Sequence, residues 1–152
     1  IQDAMIRYSY GLDQRIWSEW DLAFTEDAII DFSEAGMDRH SPAELKELFA
    51  AGDANRLGGQ HLQTNFLIWL DGDTARARSE FDLTTLGKTD DPAVARRNQG
   101  GGWYEDDLVR TPAGLRIKRH KAIVKWNHTE DIPWRTVPNQ RPVSTSADAA
   151  TS

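Results

Sequence analysis

His61 opens a stretch in which polar and apolar side chains alternate, and it is one of only four histidines in the chain. An imidazole starts with a pKa of ~6.5, so it can take and return a proton at neutral pH. On extended backbone His61, Gln63, Asn65, Leu67 and Trp69 share one face, and Leu62, Thr64, Phe66, Ile68 and Leu70 share the other. The second face is nearly all apolar and is expected to take the core. The first is either a solvated sheet surface or the wall of a pocket. Asp13 lies at the edge of a helical apolar stripe, one residue after Leu12 and three before Ile16. A carboxylate is badly placed near a helix C-terminus, so it either caps the next helix or needs a partner, and a histidine is one candidate. Tyr8, five residues earlier on the stripe, is either core packing or a phenol whose hydroxyl needs a hydrogen bond. An imidazole oriented by a carboxylate, beside a phenol, is the equipment for moving a proton next to a carbonyl or a leaving group.

Other chemistry is thinner. In the last long strand Leu115 and Ile117 alternate one way and Ala122, Val124 and Trp126 the other. A one-residue bulge near Arg119 and His120 explains the change, and bulges re-aim side chains. Either Arg119 or His120 then points inward, or both join Arg116, Lys118 and Lys121 in a solvated basic strip. Gly100, Gly101 and Gly102 lack the Lys-Ser/Thr ending of a phosphate loop. Within a strand they mark a bend or the close approach of backbone or ligand. Arg76 and Arg78 are expected outside, and His40 and His128 are read as surface histidines without metal-ligand spacing. With no cysteine there is no thiol nucleophile, disulfide or cysteine zinc site. No metal site is expected.

These residues need elements to hold them. Ile1, Met5, Tyr8, Leu12 and Ile16 predict a helix, which Gly11 weakens by about 1 kcal/mol. A second short helix carries Trp17, Trp20 and Phe24, ended by Thr25, Glu26 and Asp27, and residues 28–32 form a short strand. Ser41, Pro42 and Glu44 start a third helix that Gly52 closes. The period then changes to two. Strands are expected at 61–70, 74–86, 99–109 and 115–126, with Asp71-Gly72-Asp73 and Pro112-Ala113-Gly114 as turns and 88–97 as a polar loop. Helices first and long antiparallel strands after predict an α+β fold: a strongly curved, mostly antiparallel sheet with N-terminal helices across it, a cone-shaped half-barrel whose hollow is a natural pocket.

The segments Tyr8–Trp17 (with Asp13), Phe24 to Asp31, Gln60 to Asn65 (with His61) and Asp71 to Ala77, in that order, resemble a SnoaL-like domain of the nuclear transport factor 2-like superfamily. The closest likeness is to the branch of scytalone dehydratase, bile-acid 7α-dehydratase and lindane dehydrochlorinase. The resemblance covers roughly residues 1–126. It implies a His61–Asp13 dyad for general acid/base catalysis, with Tyr8 as the assisting phenol and no cofactor. It implies a lyase, a dehydratase or related elimination, on a hydrophobic polycyclic or polyketide-like small molecule. A polyketide cyclase or ketosteroid-type isomerase, and a non-catalytic binding or oligomerisation module, are the alternatives on the same fold. The chain departs from scytalone dehydratase in having no second histidine on 75–85.

Length predicts one domain, drawn at 1–131, with 132–152 as an extension whose last ~10 residues are expected to be disordered. The net charge of -6 argues against nucleic acid and anionic membranes as partners. No apolar run approaches the ~20 residues of a membrane helix. A cytoplasmic protein is expected, although the start at Ile1 leaves an earlier segment open. Six tryptophans suggest wide aromatic walls around the pocket. Asn65, Trp17, Trp69, Phe81, Trp103, Arg119 and His120 are therefore the expected substrate contacts. A homo-oligomer, trimer or dimer, is expected to cover the second face of the sheet.

Overall fold

The computed structural model describes residues 1–135 of the 152-residue chain. Helices α1 (Gln2–Gln14) and α2 (Trp17–Ala23) lead into strand β1 (Phe24–Asp31). The two-residue strand β2 (Arg39–His40) and helix α3 (Pro42–Ala51) follow. Four long strands complete the fold: β3 (Arg56–Asp71), β4 (Thr74–Lys88), β5 (Val94–Thr111) and β6 (Gly114–Pro133). They form one unclosed six-stranded sheet in the order β2-β1-β6-β5-β4-β3. Every neighbouring pair is antiparallel except β1 with β6. The α+β half-barrel expected from the order of elements is the fold observed. No helix among the described residues is long and apolar enough to cross a membrane.

Local chemistry explains the helices. In α1, Ala4, Met5, Tyr8 and Leu12 turn one stripe into the core. Arg15 ends it in the left-handed region, φ 57°, with its N–H donating to the Gly11 carbonyl. Helix α3 opens on a reciprocal capping box between Ser41 and Glu44, with Pro42 in the first turn. Gly11 has a purpose that helix propensity does not reveal. A Cβ there would sit 2.6 Å from the Trp20 main-chain nitrogen, so the glycine lets α2 cross α1 at backbone contact. Trp20 fills that junction, fully buried, and donates from its indole to the Pro42 carbonyl at 3.1 Å.

Several boundaries differ from expectation, and β3 already begins at Arg56, five residues before His61. Thr25, Glu26 and Asp27 belong to β1 instead of ending a helix. Much of the polar stretch 88–97 is strand, because Arg96 and Arg97 stand directly opposite Asp131 and Glu130 and pair with them. The last strand accordingly runs to Pro133, and the Trp134 N–H donates to the Ala93 carbonyl at 2.7 Å. The expected disordered tail lies outside the described residues.

Four bulges decide which side chains face the hollow, and the first, where the ladder skips Leu57 at the start of β3, puts Arg56 on the side of His61. Further along β3, Asn65 and Phe66 together face Ser79, and Asn65 adopts φ 52°. In β6 the ladder skips Lys118 and again Lys125. Each extra residue flips the alternation. The concave face therefore carries His61 and Gln63 before the Asn65 bulge, and Ile117, His120, Ala122, Val124 and Asn127 along β6.

Candidate active site

The hollow between α1 and the sheet holds a cavity of about 510 Å³. Tyr8, Leu12 and Asp13 come to it from α1, Phe32, Met37 and Phe49 from the segments beneath, and His61, Phe81, Leu83, Gly100 and Tyr104 from the sheet. Asp13 and His61 meet on its wall. The Asp13 Oδ1 lies 2.6 Å from the His61 Nδ1, and the Asp13 Oδ2 accepts the His61 main-chain N–H, also at 2.6 Å. Both side chains are almost wholly buried, at 8% and 9% exposure. With Nδ1 given to the carboxylate, Nε2 is the nitrogen left for a ligand.

Supporting contacts fix this pair. Gln63 donates to the Met5 carbonyl at 2.9 Å and to the Ser9 hydroxyl, and accepts from the Ser79 hydroxyl at 3.0 Å. One amide thus staples α1 to β3 and β4. Arg56 donates to the Asp13 carbonyl at 3.1 Å and lies across Gly59, where a Cβ would come 2.6 Å from its Nη2. Burial first, and the neighbouring Arg15 charge second, pull its pKa below the ordinary arginine value. Arg15 is held by Asp53 at 2.5 Å and by the Leu12 carbonyl, and stacks over Trp17 and Phe49.

Tyr8 is 1% exposed and packs edge to face on Tyr104 at 5.6 Å and on the His61 ring at 6.2 Å. Burial raises its hydroxyl pKa well above the usual value, and burial together with Tyr8 does the same for Tyr104. Both phenols therefore keep their protons and have an O–H to donate. Behind them lies a second imidazole–carboxylate pair: the His120 Nδ1 is 2.6 Å from the Asp106 Oδ1, with both side chains 1% exposed. The His120 ring lies against Tyr8 at 4.4 Å and Tyr104 at 4.5 Å. Among the described residues, its Nε2 and the Asp106 Oδ2 find no hydrogen-bond partner.

The residues expected from the sequence thus divide. His61, Asp13, Tyr8 and Phe81 line one cavity, and His120 turns inward behind Tyr8. Arg119 does not: the skipped Lys118 sends it outward to Asp107 at 3.2 Å. Asn65 bonds to Glu80 on the outer face, because its left-handed backbone makes the second β3 bulge. The same flip leaves Trp69 half exposed outside the cavity. Trp103 stands beside Glu80 on that outer face, with Arg78 over its ring at 4.4 Å and Lys125 at 5.5 Å. Trp17 is spent beneath Arg15. Among the described residues no tryptophan lines the cavity; its aromatic walls are Tyr8, Phe32, Phe49, Phe81 and Tyr104. Sequence reading passed over Tyr104 and Arg56 as site residues; His128 is at the surface as expected, 61% exposed, and also lines the cavity.

Comparison with known proteins places this architecture in a wider group. A family model described as a SnoaL-like domain matches residues 1–121. An uncharacterized protein of Mycobacterium tuberculosis is 36% identical over 120 residues, covering 78% of this chain and 79% of its own. A solved Novosphingobium aromaticivorans protein, named as a candidate aromatic ring hydroxylase, is 29% identical with a TM-score of 0.73, over 86% of this chain and 90% of that one. A candidate scytalone dehydratase from the same organism is 20% identical with a TM-score of 0.69, over 93% and 91%. The hexachlorocyclohexane dehydrochlorinase LinA-type3 of Novosphingobium barchaimii is 13% identical with a TM-score of 0.73, over 90% and 91%.

Proposed function

This chain belongs to the SnoaL-like domain family, and on that premise we propose that it is a cofactor-independent lyase. The reaction is a dehydration or related elimination on a hydrophobic polycyclic or polyketide-like ketone. The observation that carries the reading is the Asp13 carboxylate gripped at both oxygens by His61 on the wall of an apolar cavity. Asp13 fixes the ring orientation, so the His61 Nε2 takes the proton from carbon beside the carbonyl. The imidazolium that forms is stabilised by the carboxylate behind it. Tyr8, with Tyr104 beside it, donates to the oxygen on which negative charge develops. The C–O bond of the β-hydroxyl then breaks, His61 returns its proton to the departing oxygen, and the products are an enone and water. Both neighbours named for elimination share the fold at low identity, which supports the architecture alone.

The test is turnover of a panel of polycyclic β-hydroxy ketones, followed by mass spectrometry for loss of one water. His61→Ala and Asp13→Asn, each folded as wild type by circular dichroism, are expected to lower kcat by about 100-fold to 10,000-fold. Turnover near the wild-type rate in both would sink the mechanism. An isomer of equal mass would select the isomerase or cyclase reading. A requirement for dioxygen and a reductant would instead favour hydroxylation, the chemistry in the name of the Novosphingobium aromaticivorans protein.

A further inference from the structure

Three successive glycines in the middle of β5 cost the strand stability, about 0.5–1 kcal/mol each relative to alanine. Two of them have a reason in the fold. A Cβ at Gly102 would run into the Ile123 carbonyl at the bulge, and one at Gly101 into the Trp126 indole. Gly100 has no such reason. A Cβ there would meet the Trp126 carbonyl at 3.5 Å and the Asn127 and Leu83 side chains at 3.9 Å, all ordinary contacts. Its backbone is not in the left-handed region that favours glycine. What Gly100 does face is the cavity.

The register shows what lies either side of it. His61, Leu83, Gly100 and Asn127 form one row across β3, β4, β5 and β6, and all four line the cavity. Three strand spacings of ~4.8 Å put the ends of this row about 14 Å apart along the sheet, and closer across its concave side. One end is the His61 imidazole with its phenols. The middle is bare backbone between Leu83 and the adjoining Phe81 and Val124. The far end is the Asn127 amide, which both donates and accepts. Next to it Asn98 is anchored by the Thr129 hydroxyl at 2.8 Å.

We propose that Gly100 and Asn127 determine specificity in this cavity. The substrate is a flat fused-ring molecule with an oxygen function at each end: one worked on at His61, the other read by Asn127, with the ring body against the Gly100 backbone. This rests on the reading of the cavity as a site for a hydrophobic polycycle, and it names the shape and second polar group of that ligand.

Binding tests it without any turnover. The probes are a fluorenol, with one terminal hydroxyl, and the fluorenediol with a hydroxyl at both ends, titrated by their fluorescence. Wild type is expected to bind both and to prefer the diol by about tenfold, the worth of one hydrogen bond. Gly100→Ala is expected to melt slightly above the wild-type temperature, because alanine suits a strand better and its Cβ meets only ordinary contacts, and to weaken both probes by about tenfold or more. Asn127→Leu, at an exposed position, is expected to lose the preference for the diol while keeping its affinity for the fluorenol. Unchanged binding in Gly100→Ala would overturn the proposal, as would a diol preference that survives Asn127→Leu. So would wild-type binding of neither probe below about 1 mM. An unfolded Gly100→Ala would make the glycine a requirement of the strand and overturn its assignment, leaving Asn127→Leu to decide the other end. Dyad-dependent turnover beside unchanged Gly100→Ala binding sinks this inference alone. Inactive chemistry beside the predicted binding sinks only the elimination.

Discussion

Asp13 is held at both of its oxygens by one residue, and that shared grip leaves the His61 ring little freedom to turn. The pairing was legible in outline: an acid badly placed at a helix end needs a partner, and the family likeness names His61. Tyr104 was not legible, because its inward face depends on registers across β4 and β6. The two buried phenols make a prediction of their own. An acid whose folded pKa lies above its unfolded value of ~10 binds more protons in the native state at high pH. The stability Tyr8 and Tyr104 contribute is therefore complete below about pH 10 and is lost as pH rises toward their folded values. In an alkaline titration followed by ultraviolet absorbance, their share of the phenolate signal is expected only as the far-ultraviolet circular dichroism collapses. Full ionisation of all three tyrosines in a still-folded chain would contradict the burial that keeps Tyr8 and Tyr104 protonated.

At the scale of elements, the signals with local physical causes read through. The Ser41–Glu44 capping box, the Gly72 and Gly114 turns and the helical stripe of α1 each follow from a few neighbouring residues. What did not read through was parity. Asn65 tolerates a left-handed backbone, but nothing in Lys118 or Lys125 marks an extra residue in the ladder. A break near Arg119 and His120 was visible in the hydrophobic alternation, yet its position one residue earlier decided that His120 faces in. The bulge at Asn65 was invisible, and it moved that residue and Trp69 to the wrong face. The same contrast holds for Gly11, where propensity and packing disagree in sign. Alanine gains about 1 kcal/mol of helix propensity, but its Cβ would press on the Trp20 backbone at 2.6 Å. Overpacking at such a crossing costs about 1–3 kcal/mol, so Gly11→Ala is expected to lower the urea midpoint. A raised midpoint would show that α2 can move away freely.

For the molecule as a whole, the two edges of the sheet are unequal. One edge is β2, only two residues long, which offers little backbone for further pairing. The other is β3, sixteen residues long, whose far half exposes Leu67 at 54%, Trp69 at 50% and Leu70 at 72%. The tryptophan excess that first suggested a pocket therefore partly serves the exterior, since Trp126 is also 45% exposed, across Gly101. A long apolar edge strand left open invites association with other chains. We propose that a second or third copy of the chain covers it, giving a homodimer or homotrimer. Light scattering at micromolar concentration is then expected to report two or three times 17.2 kDa. Replacing Leu67 and Trp69 together by glutamate is expected to return the mass to that of one chain while leaving the Asp13–His61 pair intact, because both side chains lie outside the cavity. A wild-type chain that scatters as a monomer would leave this edge without the partner proposed for it.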